Sequence, residues 1–398
     1  MKVLQINSVA GIRSTGRICT DIADVLKKRG DECIIAYGRE DVPEKYRDIS
    51  FRIGNDSDVK LHALSSRVFD TSGFHSKSPT AKLIKYIDEY TPDVIHLHNI
   101  HGYYINIELL FDYLKRKNTP VIWTLHDCWA FTGHCSHYSA VGCNKWLTGC
   151  ESCPQKGEYP KSILFDRSKK NYAKKKEIFC GVPNLTMVTP SKWLADEVKK
   201  SFLGEYRVEV INNGIDLDVF KPTQSDFRAK HGLEDKKIVL GVATAWGERK
   251  GLYDFNKLSE ILDNRYQIVL VGLTENQIKE VSSKIISINR TNSAVELAEI
   301  YTAADVFVNL TYEDTYPTVN LEAQACGTPV VTYRTGGSTE SVPAENVVEQ
   351  GDIKAISEII SKNLNFEPQS YSKAHMVEKY VSLIHEMLNN CAKEEIKR

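Results

Sequence analysis

Residues 307–337 read FVNLTYEDTYPTVNLEAQACGTPVVTYRTGG. An apolar run over 306–310 leads through polar residues 311–316 into a short segment opened by Pro317 and closed at Gly327, and a second apolar run follows at 329–333. Pro suits the first turn of a helix and Gly the position just past its end, so the predicted order is strand, loop, helix, strand. A loop that leaves a strand and feeds a helix turns backbone N–H groups and the positive end of a helix dipole toward whatever lies in front of it. Such a mouth suits phosphate. Two carboxylates, Asp314 and Glu322, stand eight residues apart in the same stretch, one in the loop and one in the second helical turn. They can face one ligand at different heights.

At these residues the chain resembles the retaining glycosyltransferases of family 4, which have the two-domain GT-B fold. The family motif is an acid, seven intervening residues, a Glu and a run like EAxACGTPVV. Here it stands as Asp314, TYPTVNL and Glu322-Ala-Gln-Ala-Cys-Gly-Thr-Pro-Val-Val. The resemblance implies that Asp314 contacts the donor sugar and that Glu322 holds the nucleotide ribose hydroxyls. Two departures stand out: the first acid is usually Glu, and the usual Gly-Phe-Gly is Thr315-Tyr316-Pro317. Pro317 has no N–H, which leaves the amides of Thr315, Tyr316, Thr318 and Val319 for sugar or phosphate. Glu313, one residue off register, is the alternative first acid.

A length of 398 residues argues for two domains, and the composition is that of an ordinary globular protein. No run reaches the roughly 18 apolar residues of a membrane span, and MKVLQIN enters a strand at once, without the regions of a signal peptide. The chain is therefore expected in the cytoplasm, at the inner face of the membrane where a lipid-linked acceptor would lie. Its ten cysteines should be reduced there.

The first half alternates strands with helices. Residues 2–7 form a short strand, followed by SVAGIRSTGRI and an amphipathic helix over about 15–29, with Ile18, Ile22, Val25 and Leu26 on one buried face. Further strands at 33–37, 93–98, 121–125, 185–189 and 208–212, with helical segments near 80–90 and 107–118, predict an α/β, doubly wound parallel sheet. Its ligand sites lie beyond the strand carboxyl ends, where His98, Asn99 and His101 follow one strand and His126-Asp127 another. In GT-B enzymes the first loop closes over the donor diphosphate, which makes Gly16 the candidate, with Arg13 and Arg17 as charge partners. A glycine that merely permits a tight turn is the alternative. Thr124-Leu125-His126 matches the family's Thr-x-His, so His126 is the candidate contact to the reacting sugar. For His98 and His101, acceptor contact and plain loop structure both stay open.

The loop HDCWAFTGHCSHYSAVGCNKWLTGCESCPQ, 126–155, is dense in cysteine. In a reducing compartment that points to metal, and Cys135, Cys143, Cys150 and Cys153 would make a four-thiolate structural zinc site tying down an insert over 128–153. Reduced packing cysteines are the alternative. HDCWAFTGHC and the later PSKWLADEV narrow the resemblance to the colanic-acid-type branch of family 4, which makes extracellular polysaccharide. In FDRSKKNYAKKKEIF, Arg167, Lys169, Lys170, Lys174, Lys175 and Lys176 crowd one helix. They form either a solvated face or a patch that lies on anionic lipid through residues 167–176, at about 1 kcal/mol per basic residue. The run is isolated and carries no nucleic-acid motif, so no nucleic-acid partner is expected.

NGID at 213–216, with Phe220-Lys221-Pro222 after it, resembles the family's hinge. A strand at 238–242 runs into ATAWGERKGL and delivers Arg249 and Lys250 beside Gly251. A diphosphate needs cations unless a metal supplies them. Lys250 carries over from the family, whereas the family's Arg five positions earlier is Ala245 here, and Arg249 is the proposed substitute. After strands at 266–271 and 287–290, Arg290, Thr291 and Asn292 occupy the loop that lies along the nucleobase in the family.

The expected architecture is GT-B: two Rossmann-like doubly wound parallel-sheet domains facing a central cleft. Residues 1–218 form the acceptor-side domain, 219–370 bind the nucleotide sugar, and 371–398 form a last helix crossing back to the first domain. The expected activity is that of a retaining, metal-independent hexosyltransferase that takes a UDP- or GDP-linked sugar to a glycan or lipid-linked saccharide. A sugar-nucleotide epimerase or hydrolase, or a non-catalytic sugar-nucleotide-binding protein, is the alternative.

Overall fold

Strands covered on both faces of a parallel sheet must be apolar almost throughout, and VIWT at 121–124 and VVTY at 330–333 are buried at every position. A computed structural model describes residues 1–362, 364, 366 and 372–396, the side chains of 392–396 excepted. The chain divides into two units: Met1–Ile211 together with Val377–Arg398, and Asn212–Met376.

The first unit holds seven parallel strands: β1 (Lys2–Asn7), β2 (Glu32–Tyr37), β3 (Ser50–Arg52), β4 (Val94–Leu97), β5 (Val121–Thr124), β6 (Leu185–Thr189) and β7 (Arg207–Val210). Their order is β3-β2-β1-β4-β5-β6-β7. The direction of build reverses between β1 and β4, so the loops after these two strands part and leave room for a ligand. Gln5 is in register with Ile35 on one side and His96 on the other. β3 and the helix Asp56–Phe69 were not anticipated from sequence. That helix buries His62 and Ser66 rather than an apolar stripe, so periodicity does not reveal it.

The second unit holds six parallel strands: β8 (Lys237–Val242), β9 (Tyr266–Val271), β10 (Ile285–Ile288), β11 (Val306–Asn309), β12 (Val330–Tyr333) and β13 (Val347–Val348), in the order β10-β9-β8-β11-β12-β13. Here the reversal lies between β8 and β11. Ile238 and Leu240 pack into one core while Val239 packs into another, as the two-residue strand period requires of a sheet covered on both faces. β10 lies two residues earlier than the expected 287–290.

The division falls at Ile211/Asn212 rather than at 218. The NGID segment belongs to the second unit because Asn213 Nδ2 donates to Tyr316 O at 3.3 Å, Ile215 bridges to Ser372, and Lys373 Nζ reaches Asp216 Oδ2 at 2.6 Å. The last helix is Lys373–Ile396, and it joins the first unit from Val377. The boundary expected at 370/371 lies outside the described residues. Among the described residues no helix is long and apolar enough to cross a membrane.

The short helix Thr318–Ala325 is fastened to its sheet by buried polar groups as well as by Leu321 and Ala323 in the core. Asn320, fully buried, accepts from Asn309 Nδ2 at 2.8 Å and donates to Ser338 Oγ and Ser341 Oγ at 3.2 and 3.1 Å. Gln324 Nε2 donates to Ser341 O at 2.7 Å. Each buried group left without its partner costs about 1–3 kcal/mol. Asn320→Ala is therefore expected to destabilise the second unit by about 2–3 kcal/mol and to speed amide exchange in residues 318–325; hydrogen exchange at wild-type rates there would show that the network does not hold the helix.

Candidate functional site

The loops after β8 and β11 touch because one residue has no side chain. Gly251 has φ +72°, and a Cβ there would stand 2.2 Å from the Leu310 carbonyl oxygen. One main-chain and one side-chain bond then join the loops: Tyr312 N–H donates to Arg249 O at 2.8 Å, and Arg249 Nη1 to Glu313 O at 3.1 Å. At the junction Lys250 Nζ donates to Asp314 Oδ2 at 2.6 Å, the two side chains only 20% and 18% exposed. Tyr316 N–H donates to Asp314 Oδ1 at 3.2 Å, and Gly337 N–H to Asp314 O at 3.2 Å. The alternative acid, Glu313, is 3% exposed, so the geometry favours Asp314. Tyr316 is a correction: its amide, expected to serve the ligand, is engaged by Asp314, because a short Asp side chain reaches the amide two residues on.

Pro317 enters the helix Thr318–Ala325 in extended conformation and no side chain caps it, which leaves the first amides, those of Thr318 and Val319 included, to be satisfied from outside. Thr315 is buried in the loop before them. Glu322, half-buried in the second turn, accepts from Tyr301 OH at 3.1 Å, and burial together with the Glu322 charge pushes that hydroxyl's pKa well up. Arg290, Thr291 and Asn292 follow β10, two strands from β8, which is about 10 Å at ordinary strand spacing. Asn292 N–H and Nδ2 both reach Glu296 Oε2, at 2.6 and 3.0 Å. Arg249 is exposed.

In the first unit a cavity beyond β4 and β5 is lined by His98, Asn99, His101, His126 and Asp127, among others. Gln5 Nε2 donates to Cys19 O at 2.8 Å, which aims Gln5 Oε1 at His98 Nε2, 3.1 Å away. An amide oxygen only accepts, so His98 carries its proton on Nε2 and presents a lone pair at Nδ1. Burial holds His98 neutral, its pKa well below the usual value. His126 Nε2 lies 3.2 Å from that lone pair and must be the protonated nitrogen. His126 Nδ1 is then its basic atom. Burial also brings the His126 pKa down to about 4. His98 thus supports His126, and His101 stands 2.9 Å from Asp127 Oδ2 and 3.0 Å from Tyr159 OH. Burial pushes the Asp127 carboxyl up, but His101 outweighs it and holds it at about 2.

Gly16 lies not in the loop but in the first turn of the helix Arg13–Lys28, where a Cβ would stand 3.1 Å from Val9 Cγ2 and 3.2 Å from Gly11 N. It lets the loop after β1 rest on the helix; the loop residue with φ +71° is Gly11. Arg13 pairs with Glu40 at 2.8 Å, and Arg17 is exposed. Gln5, Gly251 and Tyr301 were missed as site residues. A lone polar residue inside the strand MKVLQIN was the only available signal for the first.

Cys135, Cys143, Cys150 and Cys153 all line one small cavity, and the thiols of Cys135 and Cys153 hydrogen-bond to each other. Among the described residues no three His, Cys, Asp or Glu side chains are grouped as they stand to hold a metal ion. The basic run is also corrected. Lys175 is buried, donating to Trp129 O at 2.8 Å and Thr132 O at 3.1 Å. Lys174 pairs with Glu108 at 2.9 Å and Lys169 with Glu151 at 3.2 Å. The helix Ser168–Phe179 packs through one side, and that side takes Lys175 with it.

Residues 15–219 match the family model Glycosyltransferase Family 4, and residues 223–381 match Glycosyl transferases group 1. One relative is a glycosyl transferase of Escherichia coli K12 named for colanic acid biosynthesis, WcaC, 27% identical over 67% of this chain and 64% of its own length. The chain spans less than two thirds of the length of the curated relatives it matches first. A solved glycosyltransferase from Rickettsia africae superposes with TM-score 0.67 at 15% identity over 98% of this chain and 99% of its own. Anabaena HepE, solved in complex with UDP, superposes with TM-score 0.60 at 15% identity over the whole of both chains. At these identities the likeness is one of fold, the GT-B architecture of two Rossmann-like domains.

Gly251→Ala is expected to unseat Lys250. The left-handed backbone alone costs about 1–2 kcal/mol for an L-residue, and the Leu310 carbonyl adds a clash; an unchanged urea midpoint would contradict this. A second expectation concerns pH. Burial lowers the pKa of His62 and His96 to about 3 and of His126 to about 4, with His98 also well below its usual value. The unfolded chain, with histidines near pKa 6.5, binds protons that the folded one refuses. Stability should therefore fall as pH drops from about 6.5, by up to about 1.4 kcal/mol per pH unit for each histidine. Urea midpoints that stay level between about pH 7 and 5 would refute it.

Proposed function

Because the chain belongs to glycosyltransferase family 4, we propose that it transfers a hexosyl group from a UDP- or GDP-linked sugar to a hydroxyl of a glycan or lipid-linked saccharide. Anomeric configuration is retained, and the product is surface polysaccharide built from the cytoplasmic side. The observation that carries this reading is the Lys250–Asp314 pair beside an uncapped helix at the β8/β11 reversal. The E. coli relative's name supports polysaccharide as the product, and the UDP complex of HepE supports a nucleotide donor.

As the glycosidic bond breaks, the leaving diphosphate gathers charge. Lys250, with Arg249 beside it and the amides of Thr318 and Val319 at the helix mouth, stabilises that charge where it develops. Two cations do the work a metal would otherwise do, so no catalytic metal is called for. Diphosphate binding exchanges one anionic partner of Lys250 for another and turns Asp314 toward the donor sugar. Glu322, steadied by Tyr301, accepts from the ribose hydroxyls, and Arg290, Thr291 and Asn292 lie on the base side. The loop resting on Gly16 meets the diphosphate, and His126 meets the reacting sugar through its basic Nδ1. The structural zinc also stays a proposal, carried by four thiols on one cavity.

Lys250→Ala is expected to cut turnover about 10²–10³-fold with the fold intact. Glu322→Ala should lose the thermal stabilisation that UDP or GDP sugars give the wild type; equal stabilisation would remove Glu322 from the ribose site. Release of the nucleoside diphosphate should depend on added lipid-linked acceptor, and release at full rate without acceptor would mark a hydrolase instead. Zinc analysis should find about one metal per chain, lost in Cys150→Ser/Cys153→Ser; a folded, zinc-free wild type would make the thiols packing residues.

A further inference from the structure

Tyr312 stands two residues before Asp314, and the second unit holds it at both ends. Its N–H donates to Arg249 O at 2.8 Å, and its hydroxyl donates to Asp254 Oδ2 at 2.6 Å. Arg249 precedes Lys250 by one residue and Asp254 follows it by four. One side chain from the loop that carries the carboxylate therefore spans the segment that carries the ammonium. Gln350 Nε2 adds a bond to the Tyr312 carbonyl at 3.3 Å.

The far anchor is a buried charge. Asp254 lies 3% exposed in the first turn of the helix Leu252–Ile261, where the helix dipole favours a carboxylate. The Tyr333 hydroxyl donates to the same Oδ2 at 2.9 Å, and Lys257 Nζ donates to Oδ1 at 3.0 Å. Burial, and after it the bond to Asp254, push the Tyr312 hydroxyl up to about 12, so it stays a donor. The Tyr312 and Tyr333 rings meet edge to face with centroids 5.5 Å apart.

We propose that Asp254, acting through Tyr312, is a positioning residue for the donor site. It sets where the Lys250 ammonium and the Asp314 carboxylate stand when a diphosphate arrives. For stability alone, a buried carboxylate bonded to phenols does no better than apolar groups of the same shape. What it provides is a direction and a length that ring packing, being non-directional, does not. Both residues act through Lys250 rather than on the donor. The proposal rests on the reading of Lys250 as the partner of the diphosphate, and traces that contact further back into the fold.

Calorimetric titration with UDP, GDP, uridine and guanosine tests it. The wild type should bind one diphosphate at least about tenfold more tightly than its nucleoside. Tyr312→Phe should lose about tenfold for that diphosphate and leave the nucleoside unchanged. Tyr333→Phe removes a bond to the same carboxylate oxygen and is the control. Its urea midpoint should fall as far as that of Tyr312→Phe, with diphosphate affinity within about twofold of wild type. Phenylalanine keeps both rings packed, so the comparison does not depend on removing the buried Asp254. In a Lys250→Ala background Tyr312→Phe should change diphosphate affinity by less than about twofold, because the group it positions is gone. Tyr312→Phe that binds the diphosphate like wild type, Tyr333→Phe that loses as much, or losses that add in the double variant would each overturn the proposal and leave the role of Lys250 standing. A wild type that prefers neither diphosphate to its nucleoside would overturn the reading of Lys250 and this inference with it.

Discussion

An ammonium and a carboxylate 2.6 Å apart, about four fifths withdrawn from water, stand where the loops after β8 and β11 meet. A pair in that position lies between the solvated kind, worth about 0–1 kcal/mol, and the fully buried kind, whose rupture costs about 3–5 kcal/mol. It is tight enough to hold the two loops together. The rest of the site follows from that contact. Gly251 permits the approach, Arg249 ties the two backbones, Tyr316 aims the carboxylate, and the helix behind it is bolted to the sheet through Asn320. The parallel order of the strands brings the two loops together in the first place, because the build reverses there.

The first unit solves a different problem, that of keeping a histidine neutral and correctly protonated. Burial alone would suppress its charge without deciding which nitrogen bears the proton. The chain Cys19 carbonyl, Gln5 amide, His98, His126 decides it, because an acceptor at one end forces every donor along the line. Gln5 reaches this position through the pairing of β1 with β4.

Lys175 shows how a charge run misleads when read along the chain. Its ammonium is buried against two carbonyls and over the Trp129 ring, 3.4 Å from the centroid, and burial draws its pKa down to about 7. It serves the interior of the cysteine-rich insert.

Much was legible in the chain itself. Alternating apolar runs and helical stripes determined two parallel doubly wound sheets, and Pro317 and Gly327 announced the short helix between strands, because these signals are local and survive without tertiary contacts. Lys250 and His126 were reachable through motif, since each follows directly on a strand end. Only the folded chain decided that Asp314 rather than Glu313 faces outward, that the Tyr316 amide is taken, that Gly16 packs within a helix, and that Gln5 governs the proton on His126. Some of these turn on groups far off in the chain, as with Lys250 and Asp314 or Gln5 and His98, others on a loop folding back on its own neighbours, as with Tyr316 and Asp314 or Gly16 and Gly11. No local periodicity encodes which group a polar side chain will meet once both are withdrawn from water.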